Sequence, residues 1–469
     1  MSEHARLPAW FHLLLALLAT VALARALGLV LHRPLLAFAN NYDQIRYTAC
    51  LDLAPWRPGE RADRGNPQAP LSRYAFQPLP RGTCIWTSDL LFTAPVAAVW
   101  RLSEALGGRA IHSVRRLAEW RLLGWLLLAG WTTAALMRAR QPHVAAGYLG
   151  WLALFGTDPA NLLYFPTFYA EAGAILGLHA CLAGALVALL RPTRGALAVA
   201  AIGAAILAAS KQQHLVLPLL LGLALLAAAG AAGRKAAFAV LAGGVLGLAL
   251  QLGDIARAPP MSHGVDAVNR ANFVLGVLLP ESSDPGRVAD ILALEPACTA
   301  YAGRSVYAMP APVERICTRV TAWPRLQPWW LLLSDPPAFG RALLHVPRLL
   351  LPWIPALGVV EGATWGALPA SQPSWSRVFG DRAAVAAGLL MLPWLLFAAC
   401  WRRRAPRVAT AFALVCASGS AAVVLVSLFG DGDVEFAKHS QLAPNLALAS
   451  FGLVIAALVQ RALAIRGRA

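Results

Sequence analysis

Long apolar stretches alternating with short, strongly basic breaks leave this chain very few folds. Ten stretches read as helices, at about 10–31, 120–137, 143–156, 172–190, 195–210, 215–230, 236–252, 383–400, 408–429 and 446–463. Each is judged against the ~20 residues that cross a bilayer's hydrocarbon core as a helix. Charged residues make up only 13% of the chain, and 58% is hydrophobic; a soluble domain carries about 25% charged residues. Ala/Leu/Gly-rich runs without alternation argue against a β-barrel. The reading is an all-α, polytopic integral membrane protein. The first run is too long for a signal-peptide core and lacks a small-residue cleavage site, so it is retained as a helix.

The net charge of +17 need not mean nucleic acid, because much of the basic charge sits in short loops, where it sets orientation. Placing the N-terminus inside puts five basic segments in the cytoplasm: 138–140, 191–194, 234–235, 402–407, and a tail with Arg461, Arg466 and Arg468. Both termini are then cytoplasmic. Two long external segments remain, 32–118 and 254–382. The chain divides into an N-terminal transmembrane module (1–253), a periplasmic or interfacial segment (254–382) and C-terminal helices (383–469). Stretch 88–106 is apolar enough to pass for a span, but counting it as one would put Arg138 and Arg140 outside. It reads as a helix on the outer leaflet with Arg101 and Glu104 facing water. Trp323, Trp329, Trp330, Trp353, Trp365 and Trp375 suit a layer dipping into headgroups.

Cys181, Cys400 and Cys416 fall in expected helices and read as packing residues. Cys50 and Cys84 share the first external segment; Cys298 and Cys317 share the second. An oxidising compartment permits two disulfides there, although spacing alone does not prove the pairing.

The few acids gather at helix ends that this topology places on one side. Asp43 follows the first span; Asp158 and Glu171 bracket an aromatic run; Asp431, Asp433 and Glu435 follow the ninth. Carboxylates beside a bilayer are costly unless hydrated, paired or functional. Only three of the basic residues are lysines, Lys211, Lys235 and Lys438, which makes Lys211 and Lys438 slightly better functional candidates. Arg25, near the outer end of the first span, reads as snorkelling. His179 reads as a packed helix residue. Gly243, Gly244 and Gly247 read as close helix contacts.

The order of these features resembles the GT-C superfamily of membrane glycosyltransferases. The run Ser88-Asp89-Leu90-Leu91-Phe92-Thr93-Ala94-Pro95 through Val114-Arg115-Arg116-Leu117 looks like that family's interfacial helix leading into its second span. Ser210-Lys211-Gln212-Gln213-His214 looks like its Thr/Ser-Lys turn. The Tyr164–Glu171 run and the Gly430–His439 segment are similar to bacterial hexose transferases of glycan biosynthesis. The resemblance implies a polyprenyl-phosphate-linked sugar as donor, a cell-surface glycan or lipid as acceptor, inversion at the anomeric carbon, and a periplasmic site on the bacterial inner membrane. One departure is Asp43, a single acid where many relatives have an adjacent pair. Metal coordination through such a pair is therefore doubtful, and no His/Cys cluster replaces it; no cofactor is expected, and help from a divalent metal stays open.

Position and resemblance together make Asp43 the candidate general base; capping a helix or pairing with Arg46 is the bland alternative. Asp158 and Glu171 would orient acceptor hydroxyls or pair with a basic residue, although Asp-Pro commonly starts a turn. Lys211 and Lys438, with His439 assisting, would hold the departing phosphate, against snorkelling or a salt-bridged turn. Tyr164, Phe168 and Tyr169 would stack on sugar rings, although an aromatic belt is the commoner use. Two rival functions stand. A lipid-linked sugar flippase would need ionisable residues within spans and a midplane site. A non-catalytic component of a glycan assembly complex would show no transfer at all.

Overall fold

A computed structural model describes residues 7–38, 41–56, 72–228, 230–257, 260–324, 326–350, 358–359, 368–369, 371–380 and 382–466. Helices dominate. In chain order the first eleven of use here are α1 (Ala9–Val30), α2 (Asn41–Thr48), α3 (Leu90–Ala105), α4 (Arg115–Arg138), α5 (Pro142–Trp151), α6 (Pro159–Leu162), α7 (Ala170–Leu190), α8 (Arg194–Ala208), α9 (Leu217–Ala228), α10 (Gly230–Arg257) and α11 (Pro260–Phe273). The C-terminal part adds Ala383–Arg402, Arg407–Asp431, a single turn at Phe436–His439, Leu442–Ala449 and Phe451–Arg466. Among the described residues six helical stretches are long and apolar enough to cross a membrane: Ala9–Val30, Ala170–Leu190, Gly233–Arg257, Ala383–Arg402, Arg407–Asp431 and Leu442–Ile465. The chain is a multi-pass membrane protein. Arg194–Ala208 and Gln212–Ala228 are shorter apolar helices.

Small residues set the closest helix contacts. A Cβ added at Gly203 would collide with the Cys181 backbone, one at Gly184 with Ala200, and one at Gly243 or Gly247 with the carbonyl oxygens of Ala201 or Ala205. Glycine therefore lets α7, α8 and α10 approach backbone to backbone, where dispersion contacts replace the hydrophobic drive that lipid does not supply. The glycines of α10 do what their spacing implied.

The expected boundaries shift in three places. The 143–156 stretch is α5 followed by a π-turn at Leu152–Gly156. α10 runs to Arg257, past the domain boundary placed at 253. The last expected span is broken at Ser450, whose hydroxyl bonds the Ala447 carbonyl oxygen at 2.5 Å; such back-bonding bends helices.

The segment between α1 and α4 folds over the helix ends. A three-stranded antiparallel sheet (Leu53–Pro55, Arg73–Phe76, His112–Ser113) is pinned by the Cys50–Cys84 disulfide. α3 lies against it, burying Thr93, Ala97 and Trp100 and exposing Leu91, Val99, Leu102 and Leu106. One face on protein and one apolar face outward is the pattern of a helix lying in an interface. Arg101 pairs with Asp52 at 3.2 Å and Glu104 with His112 at 2.8 Å, so both polar residues serve the sheet as well as water.

The segment between α10 and Ala383–Arg402 contains short helices and the Cys298–Cys317 disulfide. Its tryptophans divide. Trp330 is exposed, as an interfacial residue should be, whereas Trp323 is buried and donates its indole N–H to the Leu292 carbonyl at 2.9 Å. Trp375 stacks on Phe379 and donates to the Leu154 carbonyl. Trp353 and Trp365 lie outside the described residues.

At the opposite end of the bundle the basic loops meet. Arg191 donates to the Arg138 carbonyl at 3.5 Å, and Arg407 packs on Gly230.

Candidate functional site

Four separated segments deliver charged side chains to one place. α2 begins after a ten-residue connection from α1 and carries Asp43 in its first turn, where the helix dipole favours an anion, and Arg46 in its last. Glu171 lies in the first turn of α7. Lys211 lies three residues past the end of α8, in extended backbone. Lys438 and His439 belong to the single turn Phe436–His439. That turn is set up by backbone only some residues adopt. Gly432 has φ +66°, and a Cβ there would crowd the Asn272 carbonyl. Glu435 has φ +47°, a left-handed conformation that costs a non-glycine residue on the order of 1–3 kcal/mol.

Three ionic groups lie close together. Lys438 pairs with Asp43 and, at 2.6 Å, with Glu435. Arg46 pairs with Asp43 at 2.8 Å. Lys211 pairs with Glu171 at 2.5 Å. His439 meets Asp431 at 3.1 Å, and Asp431 accepts from the Asn272 amide at 2.8 Å. A small recess joins Glu171, Lys211, His214, Lys438 and His439. Lys438 also stands 5.2 Å from the centre of the Tyr169 ring, within cation–π range.

Charge balance fixes the protonation states. Burial alone would raise the Asp43 carboxyl, but Lys438 and then Arg46 outweigh it and hold it well below its ordinary range. Burial alone would lower Lys438, but Asp43 and Glu435 outweigh it and hold the ammonium well above its ordinary value. Glu435 is likewise held low: burial opposes ionisation and Lys438 more than compensates. Asp43 is thus ionised and Lys438 charged throughout the neutral range. Both lysines already have carboxylate partners, so an incoming anion would compete with Asp43, Glu435 and Glu171 for them.

Of the residues singled out in the sequence, Asp43, Glu171, Lys211, Lys438, His439 and Tyr169 come together. Asp158 does not join them. It caps α6 through the Ala160 N–H at 3.0 Å, accepts from the Trp375 N–H at 2.8 Å and from Ser374, and stands 3.7 Å from Arg25. These bonds make it an anchor for the 374–375 segment, the turn reading of Asp-Pro. Arg25 does not snorkel either: it donates to the Ala153 and Leu154 carbonyls at 2.6 and 3.0 Å. Tyr164 is fully buried and stacked on Phe38, 4.1 Å between centroids, which makes it a core residue with no face for a sugar. Phe168 packs edge-on against Tyr74 in the core beneath the small sheet. Asp433 lies against Gly276, where a Cβ would strike its carboxylate.

Two supports were missed in the sequence. Arg121 of α4, wholly buried, pairs with Asp89 and donates to the carbonyls of Tyr164, Phe165 and Thr167. It ties the start of α3 to the loop that delivers Tyr169 and Glu171. Asp89 in turn packs on Gly173 of α7, 3.2 Å from where a Cβ would be. An arginine one residue inside the expected start of a span was the available signal, since such a charge needs a partner. The second support is an amide ladder. Asn161 and Asn445 exchange hydrogen bonds at 2.8 and 2.7 Å, and Gln441 donates to Asn161 at 3.0 Å and to the Ala160 carbonyl at 2.9 Å. It locks the helix after Lys438 onto the loop after α5.

Among the described residues no group of three or more His, Cys, Asp or Glu is arranged to hold a metal ion.

Fold and site together define a multi-pass helical membrane protein with a buried ionic cluster at one end of its bundle. Residues 96–321, a little under half the chain, match the family model described as the YfdI N-terminal transmembrane domain. The match starts within α3 and includes Glu171 and Lys211, leaving Asp43 and Lys438 outside. No curated protein matches the chain.

Proposed function

We propose that the protein is a GT-C-like glycosyltransferase that moves a hexose from a polyprenyl-phosphate donor to a glycan or lipid acceptor. The observation that carries this reading is the convergence of Glu171, Lys211 and Lys438 on one recess at the ends of membrane-crossing helices, with Asp43 paired to Lys438. A membrane-embedded donor needs such a place: an apolar tail between helices, with a phosphosugar reaching the polar edge. On this reading the bundle has about ten spans, the termini are cytoplasmic, and the cluster faces the periplasm of a bacterial inner membrane.

Asp43 accepts the proton of the acceptor hydroxyl as its oxygen attacks the anomeric carbon. The bond from that carbon to the phosphate oxygen breaks, and polyprenyl phosphate leaves with the electron pair. Lys438 and Lys211 neutralise that phosphate; unlike charges at 4 Å are worth about 4 kcal/mol at an effective dielectric of 20. Binding of the phosphate draws Lys438 from Asp43. The carboxylate then loses its strongest cationic partner and becomes a better base, which couples donor binding to acceptor activation. Glu171 orients the acceptor hydroxyl. Tyr169 supports Lys438 from below, and His439 steadies the turn through Asp431.

The test is transfer from a synthetic polyprenyl-phosphate hexose by purified protein in nanodiscs, read as release of polyprenyl phosphate. Release that depends on Asp43 is the expected result. No release with any hexose donor, from folded protein given glycan and lipid acceptors, would overturn the reading in favour of a non-catalytic role.

A further inference from the structure

A second site lies at the other end of the bundle. α5, α7 and the helices Ala383–Arg402, Arg407–Asp431 and Phe451–Arg466 enclose a cavity of about 730 Å³. Ligand pockets typically occupy about 300–1,000 Å³. Its wall is mostly apolar, with Leu182, Leu186, Leu396, Phe412 and Leu453 among the lining. Its rim is basic: Arg403 at the end of one helix and Arg461 near the end of another, beside His143 and Gln141. No carboxylate is among the described residues that line it. Arg403 and Arg461 are exposed and form no ion pair among the described residues.

Depth argues for the occupant. Along α7 the lining runs from Leu190 at the rim to His179 inside, where His179 Nε2 meets the Tyr148 hydroxyl at 2.7 Å. That span is about 16 Å at the rise of an α-helix. One leaflet of the hydrocarbon core is about 15 Å thick. A slot one leaflet deep, apolar along its length and doubly cationic at its mouth, matches an acyl chain with an anionic head.

We propose that this cavity holds an anionic phospholipid of the leaflet beside the basic loops, its phosphate between Arg403 and Arg461 and an acyl chain running toward Tyr148. The proposal stands apart from the transferase reading, whose cluster is at the opposite helix ends. The bound lipid would brace the last helix against α5.

Native mass spectrometry of the full-length protein, titrated with phosphatidylglycerol or phosphatidylcholine, tests it. One phosphatidylglycerol should be retained about tenfold more tightly than phosphatidylcholine, a difference of about 1.4 kcal/mol. Arg403→Ala/Arg461→Ala, at exposed positions, should abolish the preference while leaving the melting temperature of the lipid-free protein unchanged. Ala409→Trp, which fills the slot and keeps both arginines, should reduce retention of either lipid. Equal binding of the two lipids, or a preference that survives the double substitution, would overturn the proposal. So would displacement of phosphatidylglycerol by polyprenyl phosphate at a lower concentration, since the cavity would then be a donor site.

Discussion

Lys438 reaches across 395 positions of sequence to pair with Asp43, so the C-terminal part of the chain closes directly over α2. Neither side chain is placed by its neighbours in sequence alone. The turn that presents Lys438 depends on Gly432 and Glu435, and Asp43 is placed by the start of α2. The chemistry proposed for the site therefore predicts behaviour that separates function from folding.

Replacing Asp43 with Asn keeps shape and removes the proton acceptor. Transfer should fall by about 10²–10⁴-fold. Lys438 keeps Glu435 as a partner, so the protein should still elute as a monodisperse species and melt cooperatively. Retained transfer would remove Asp43 from the mechanism.

Lys211 and Glu171 form a tighter structural unit, because the carboxylate is almost wholly buried. Lys211→Met leaves that charge without its nearest cation, and breaking such a pair costs about 3–5 kcal/mol. Lys211→Met/Glu171→Gln should recover part of the lost melting temperature while transfer stays low. Recovery of both together would make the pair purely structural.

Arg121→Met should be the most destabilising single change near the site. It strands Asp89 in the interior and frees three carbonyls of the 164–167 loop. The expected cost is again about 3–5 kcal/mol, with Arg121→Met/Asp89→Leu less affected than the single variant. Denaturation of the four members of the cycle measures the coupling.

Acid and alkali act on the Asp43–Lys438 pair from opposite sides. Asp43 is held below its ordinary value of 3.8, so its contribution to stability is complete above that pH and fades as the pH falls through the lower folded value. Lys438 is held above its ordinary 10.5, so its contribution is complete below that pH and fades as the pH rises through the folded value. The pair should leave the melting temperature flat from about pH 5 to pH 9. Lys438→Met removes the largest influence holding Asp43 down, so the acid limb of transfer should move upward in pH. An unchanged limb would show that Asp43 does not govern it.

The cysteines check the covalent frame. Under non-reducing denaturing conditions only Cys181, Cys400 and Cys416 should react with an alkylating probe. Reduction should add Cys50, Cys84, Cys298 and Cys317. Labelling of all seven before reduction would contradict both bridges.

Much of the architecture was legible because bilayers impose blunt rules. Apolar length gave the long helices, small residues gave the seam among α7, α8 and α10, and paired cysteines gave both bridges. α3 was set apart from the spans because counting it as one would have broken the distribution of arginines. What failed was the fate of individual polar side chains. Arg25 looked like a snorkelling residue and Asp158 like a candidate at the site, yet they stand 3.7 Å apart in a shared structural role. Periodicity says which face of a helix a residue occupies, but not which distant partner meets it. Arg121 escaped for the same reason. Trp323 shows a related limit: an indole suits an interface or a buried hydrogen bond equally well, and its position in the chain does not choose between them.

The glycine seam described above also bears on how a long lipid could enter such a protein. Of the membrane-crossing window in α7, 89% is buried, against 22% in α1 and 11% in Ala383–Arg402. A helix enclosed by neighbours at backbone distance has no slack, and shifting it would break contacts on every side. The outer two have most of their circumference free. Glu171 is therefore mounted on the fixed post of the assembly, and whatever gives way to let a bulky guest pass must be sought at the periphery.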